Sequence, residues 1–119
     1  MPQKIYVVDD DPANLRAFAR LLRVGGFDVE TFESAEDFLD RADPRAANCL
    51  VLDIRLGGMS GIDLGRRLIE EGVSLPIIFV TGELRDGDEL VAQNAGGAAF
   101  LRKPVSPKSL METIARICG

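Results

Sequence analysis

Apolar residues fall along this chain in two alternating rhythms. Four short runs are continuously apolar: Ile5-Tyr6-Val7-Val8, Cys49-Leu50-Val51-Leu52, Ile77-Ile78-Phe79-Val80 and the weaker Ala98-Ala99-Phe100-Leu101. Such runs are the mark of strands covered on both faces, as in a parallel sheet. Val29-Glu30-Thr31-Phe32 alternates instead, which predicts an edge strand. The segments between the runs carry helical spacing with start and stop signals. Asp11-Pro12 reads as a cap with proline at the first helical position, and Leu15, Phe18 and Leu22 form one apolar face before Gly25-Gly26 stops the helix. A second helix is expected from about Ser34 to Arg41. Ser60 with Asp63 opens a third bearing Leu64, Leu68 and Ile69, and Asp86 with Glu89 has capping-box spacing for a fourth. Ser106-Pro107 opens the last, with Leu110, Ile114 and Ile117 on one stripe.

Strict alternation of strand and helix, five of each, predicts an α/β fold of the flavodoxin-like, doubly wound kind with right-handed crossovers. The expected strand order is 2-1-3-4-5. The first and third strands then meet where the winding reverses, and ligands bind outside the carboxyl ends of the strands at that point. Asp9 and Asp10 follow the first run, Asp53 the third, Thr81 the fourth and Lys103 the fifth. A parallel sheet would gather three carboxylates, a hydroxyl and an ammonium into one crevice.

Composition narrows the possibilities. At 119 residues the chain holds one core, so residues 1–119 are expected to form a single domain sharing a single site. No apolar run approaches the roughly 20 residues that span a bilayer. The N-terminal stretch turns acidic at Asp9-Asp10, too early for a signal peptide. A cytoplasmic location without membrane contact is the expectation. A net charge of −5 argues against direct nucleic-acid binding by this domain. Cys49 and Cys118 have no spacing that suggests a zinc site or redox pair, and both are expected as free thiols. Histidine is absent, which excludes a Ser-His or Cys-His catalytic pair, an imidazole metal ligand, and a phosphohistidine formed within this chain.

Three carboxylates brought together repel one another unless a cation intervenes. A donor set of oxygens alone suits Mg2+ better than zinc. With that charge drawn off, one carboxylate can attack phosphorus, while an ammonium and a hydroxyl neutralise and orient the equatorial oxygens. Asp53 is the best nucleophile, standing alone at the end of a central strand before Arg55-Leu56-Gly57-Gly58-Met59-Ser60-Gly61. The glycines of that loop would let backbone approach a metal or phosphate.

Taken with Val7-Val8-Asp9-Asp10-Asp11-Pro12, Leu52-Asp53-Ile54-Arg55, Met59-Ser60-Gly61, Val80-Thr81-Gly82, Ala95-Gly96 and Phe100-Leu101-Arg102-Lys103-Pro104, the chain resembles the receiver domain of bacterial two-component response regulators. The resemblance covers essentially the whole chain. It implies that Asp53 is the phosphoacceptor, taking its phosphoryl group from a partner histidine kinase or phosphotransfer protein. It further implies that Asp9, Asp10, Asp53 and the Arg55 backbone carbonyl hold Mg2+, and that Thr81 and Lys103 contact the phosphoryl group. Phe100 takes the place of the aromatic switch, moving inward with Thr81 and reshaping the face of the fourth helix, fifth strand and fifth helix. A cis Lys103-Pro104 bond is expected as well. The chain would then be a signalling module and not an enzyme, beyond its own phosphorylation and dephosphorylation. It would act through an effector domain or protein partner, with phosphorylation-dependent dimerisation among the outcomes. The context of Asp53 and Thr81 also resembles receivers attached to LuxR-type helix-turn-helix domains, so a transcriptional regulator is one expected whole and a stand-alone receiver the other.

The chain departs from the family pattern in two places. Gly57-Gly58 stands where a proline is usual, which predicts a more mobile loop, and Gly97 and Ala99 stand where Ala and Asp are commoner, which predicts looser packing beside Phe100. At the rim, Arg55 and Glu83 each lie two residues beyond a site residue, positions that tune acyl-phosphate lifetime in the family, and their charges predict an ion pair across the mouth. Two rival readings share some of these residues. In a haloacid-dehalogenase-like, Mg2+-dependent phosphatase the nucleophile and second acid share one Asp-x-Asp motif after the first strand and further acids come late; here the solitary acid, Asp53, follows the third strand and no late acidic pair follows Lys103. A receiver-like interaction module that is never phosphorylated would not need all five groups.

Overall fold

The computed structural model describes residues 2–118. Strands β1 (Lys4–Val8), β2 (Asp28–Phe32), β3 (Cys49–Asp53), β4 (Ile77–Thr81) and β5 (Gly97–Arg102) alternate with helices α1 (Pro12–Val24), α2 (Ala35–Arg41), α3 (Gly61–Glu70), α4 (Asp88–Asn94) and α5 (Pro107–Cys118). The five strands form one parallel sheet in the order β2-β1-β3-β4-β5.

Side chains alternate across each strand, so the continuous apolar runs supply both faces at once. Tyr6, Val8, Leu50, Leu52 and Phe79 pack with Phe38, Leu64 and Leu68 on the side of α2 and α3. Ile5, Val7, Val51, Ile78 and Val80 pack with Leu15, Leu22, Leu110 and Ile114 on the side of α1 and α5. Tyr6, Phe32 and Phe38 meet edge to face with centroids 5.2–5.5 Å apart, and the Tyr6 hydroxyl donates to the Asp43 carbonyl at 2.7 Å. A buried phenol is acceptable in this core because its one polar atom is paired.

Most helix starts follow their sequence signals. Asp11 accepts from the Ala13 N–H, Ser34 from Asp37, Ser60 from Asp63 and Ser106 from Ser109. The fourth does not. No capping box forms between Asp86 and Glu89; α4 begins at Asp88, its cap is Gly87 at φ 85, and no side chain caps it. Left-handed Gly87 turns the chain so that the Asp88 carboxylate accepts the Arg85 N–H at 2.8 Å instead. Gly97 admits α4 at one point, where a Cβ would lie 2.8 Å from the Ala92 carbonyl oxygen and 2.9 Å from the Phe79 ring. Beside that point Gly97, Ala99 and Phe100 line an open cavity between α4 and β5, the looser packing expected there.

Both cysteines are free, Cys49 buried among the β-strands and Cys118 half-buried. Burial pushes the Cys49 thiol far up from its ordinary value, which leaves it a small apolar core residue. No helix among the described residues is long and apolar enough to cross a membrane.

Candidate functional site

The ends of β1, β3, β4 and β5 deliver the site. Asp9 lies one residue past β1, its N–H held by the Phe32 carbonyl at 3.2 Å, and Asp53 is the last residue of β3. Lys103 lies one residue past β5, and its N–H donates to the Thr81 carbonyl at 2.8 Å. Sheet hydrogen bonding therefore carries each functional residue to the same edge.

Asp9, Asp10 and Asp53 each present a carboxylate oxygen, all within 4.8 Å of one another. The Lys103 ammonium bridges two of them, donating to Asp9 Oδ2 at 2.8 Å and to Asp53 Oδ2 at 2.7 Å. Asp53 Oδ1 accepts the Arg55 N–H at 3.0 Å, so both oxygens of this carboxylate are engaged. Asp9 and Asp53 are buried and Asp10 is exposed. Burial raises the Asp53 carboxyl above its ordinary value, against the Lys103 hydrogen bond that lowers it. Burial would lower Lys103, but its bonds to Asp53 and Asp9 raise it above its ordinary value. Lys103 is thus a fixed cation, one positive charge among three negative ones. That imbalance and the all-oxygen donor set fit a hard divalent ion.

Thr81 is fully buried, and its hydroxyl bonds within its own loop, donating to the Glu83 carbonyl at 3.0 Å and accepting the Glu83 N–H at 3.3 Å. Phe100, half-buried on β5, packs against the core cluster and lines an open cavity between α4 and β5 with Leu90 and Ala92. The Lys103-Pro104 peptide is cis, as expected.

The sequence profile described as "Response regulator receiver domain" matches residues 5–115. The chain belongs to the response regulator receiver domain family. It is 41% identical over 110 residues to the response regulator protein TodT of Pseudomonas putida, covering 92% of this chain and 48% of that protein. It is 34% identical to the transcriptional regulatory protein FixJ of Azorhizobium caulinodans, covering 100% of this chain and 57% of the relative. The solved structure of the response regulator StyR superposes with a TM-score of 0.91 at 37% identity, over 99% of this chain and 60% of that one. The receiver domain spans about half the length of the curated relatives it matches.

At the rim the receiver domain departs from the expected pairing. Arg55 and Glu83 do not bond to each other. Arg55 Nη2 donates to Asp88 Oδ2 at 2.5 Å, and Glu83 pairs with Arg85 at 3.1 Å. The reason is positional: Arg85 lies two residues from Glu83 on the same exposed loop, while the α4 start presents Asp88 to Arg55. Asp88 carries no sequence signal for this role, reading only as an acid in a first helical turn.

The loop after Asp53 is tied down more firmly than its glycines predict. Asp10 Oδ2 accepts the Gly57 N–H at 3.2 Å, and Glu36 Oε2, from α2, accepts the Met59 N–H at 2.9 Å. Glu36 carries no sequence signal for this role, because its partner lies 23 residues away. The two glycines differ. Gly58 sits at φ 76, whereas Gly57 has no positive φ and a Cβ there would come no nearer than 4.0 Å to Asp10. Gly57→Ala is therefore expected to stabilise by about 0.4–1 kcal/mol through the unfolded chain, and Gly58→Ala to destabilise by about 1–2 kcal/mol. Urea midpoints of the two variants check this, and equal midpoints would contradict it.

Proposed function

We propose that this receiver domain accepts a phosphoryl group on Asp53 and passes its presence to an output partner. The observation that carries the reading is the bridging of Asp9 and Asp53 by Lys103 inside a cluster of three carboxylates, with buried Thr81 on the adjoining strand. Asp9, Asp10 and Asp53, with the Arg55 backbone carbonyl, would hold Mg2+. When bound, the ion supplies charge neutralisation for the carboxylates and for the oxygens of the entering phosphoryl group.

The donor is a phosphohistidine on a sensor kinase or phosphotransfer protein, since this chain has no histidine of its own. An Asp53 oxygen forms the new P–O bond as the P–N bond breaks, and the imidazole nitrogen leaves with the electron pair. Both Asp53 oxygens start out hydrogen-bonded, so phosphorylation must displace one donor. Lys103 is the one able to follow, moving its ammonium from Asp53 Oδ2 to a phosphoryl oxygen. Thr81 must give up its donation to the Glu83 carbonyl to donate to the same group, which loosens the β4–α4 loop and makes room for Phe100 to turn inward. The altered face of α4, β5 and α5 would then be read by an effector domain or a separate protein, with dimerisation on phosphorylation as one form of output. The description of FixJ as a transcriptional regulatory protein favours a DNA-binding effector in a longer cytoplasmic protein, while the net charge of −5 argues against nucleic-acid contact by the receiver domain of residues 1–119 itself. No turnover of outside substrates is assigned to it.

Incubation with acetyl phosphate and Mg2+ followed by intact mass measurement tests the reading. One added phosphoryl mass is expected in the wild type and none in Asp53→Ala. No added mass in the wild type would support the interaction-module alternative, and steady release of phosphate from a generic phosphate ester would revive the phosphatase.

A further inference from the structure

Arg55 joins the phosphoacceptor to α4. Its N–H is fixed on Asp53 Oδ1 at 3.0 Å, which roots the side chain two residues from the reacting carboxylate. Its guanidinium crosses to an element 33 residues further along and binds Asp88 at the first position of α4. Asp88 is well placed to hold it, with a side chain only 15% exposed and the same oxygen accepting the Arg85 N–H at 2.8 Å. Among the described residues, no other α4 side chain hydrogen-bonds to another element, and α4 buries only Ala92 while Leu90 is 62% exposed. The ion pair is thus a principal tie between a lightly packed helix and the phosphoacceptor loop. The guanidinium is also incompletely used: Arg55 Nε is buried and has no acceptor. A buried N–H without a partner is unfavourable, which leaves the guanidinium with an unmet donor on a residue two positions from Asp53.

We propose that Asp88 is a positioning residue: it holds the Arg55 guanidinium on α4 in the unphosphorylated protein, and a phosphoryl group on Asp53 competes for that guanidinium and releases the first turn of α4. This rests on Asp53 being the phosphoacceptor. Because coupling between two equilibria is reciprocal, a latch that phosphoryl binding breaks must also oppose phosphoryl binding. Weakening the latch therefore tightens the site. Glu83 and Arg85 form a separate, exposed pair of opposite charges.

The test uses beryllofluoride, a non-covalent phosphoryl mimic, titrated with Mg2+ into the receiver domain and followed by backbone amide and Arg Nε–H resonances. Asp88→Asn removes the charge but keeps an oxygen for the Arg85 N–H, and Asp88→Glu is the conservative rescue. The expected results are a shift of the Arg55 Nε–H and the α4 amides on saturation of the wild type, about 5-fold tighter binding by Asp88→Asn with α4 amides already displaced, and near wild-type values for Asp88→Glu. Binding by Asp88→Asn that is unchanged or weaker overturns the latch, since a merely structural prop would lower affinity when lost. Failure of the wild type to bind beryllofluoride at all defeats the phosphoacceptor reading instead.

Discussion

Lys103→Met is expected to destabilise the metal-free receiver domain by about 2–4 kcal/mol at neutral pH, the range for breaking a buried pair reduced for partial exposure of the ammonium. Lys103 is 19% exposed and its partners far less, at 2% for Asp9 and 7% for Asp53. Methionine keeps the length of the aliphatic stem, so the loss isolates the charge. Asp9 and Asp53 would then face each other and Asp10 with no cation between them. Two rescues follow from that cause. Asp53→Asn in the same chain removes one of the repelling charges and is expected to return much of the lost stability. Mg2+ is expected to do the same by binding the native state, contributing about 2.7 kcal/mol at a hundred times its dissociation constant. Urea denaturation with and without Mg2+ measures both. A Lys103→Met midpoint within error of the wild type in chelator would show that the bridge adds nothing to the fold.

Gly61→Ala is expected to lower stability by about 2–4 kcal/mol despite alanine's better helix propensity, which offsets only about 1 kcal/mol. Gly61 is the first residue of α3, and its N–H donates to the Ile54 carbonyl at 3.0 Å, pinning the helix to the chain just past Asp53. An added Cβ would overlap the Asp53 carbonyl oxygen and lie 2.9 Å from its carbon and 3.1 Å from Ile54 Cα. All three are backbone atoms of the strand end that presents Asp53, so no side-chain rotation relieves the overlap. Either α3 moves away from the core or the Asp53 backbone shifts, and the second outcome would also slow phosphoryl uptake from acetyl phosphate. Denaturation midpoints and uptake rates on the same variant separate the two. A Gly61→Ala protein as stable as the wild type would mean that α3 is free to slide at its start.

The two variants probe different layers of what the chain encodes. The parallel sheet and its covered faces were legible because continuous apolar runs, helix caps and strict alternation all describe local chemistry repeated along the chain. Asp9, Asp10, Asp53, Thr81 and Lys103 were legible as a group for a related reason: each follows a strand, and parallel strands share one end. The rim was not. Arg55 and Glu83 each lie two residues beyond a site residue, which favours pairing them, whereas three-dimensional placement gives Arg55 to Asp88. The pairing depends on where α4 begins, and the sequence obscures that start because Asp86 and Glu89 offer a capping pattern that the left-handed turn at Gly87 displaces.

The order of residues along the chain sets the periodicities, hence the α/β sheet and the carboxylates, hydroxyl and ammonium gathered at the carboxyl ends of its strands. Only folding makes Lys103 bridge Asp9 and Asp53, makes Glu36 hold the Met59 N–H, requires Gly61 to lack a side chain, and gives Arg55 to Asp88. The difference is one of range. Propensity and burial patterns act over a few residues, whereas hydrogen bonds, ion pairs and steric overlap act over a few ångströms between segments that only the folded chain brings together.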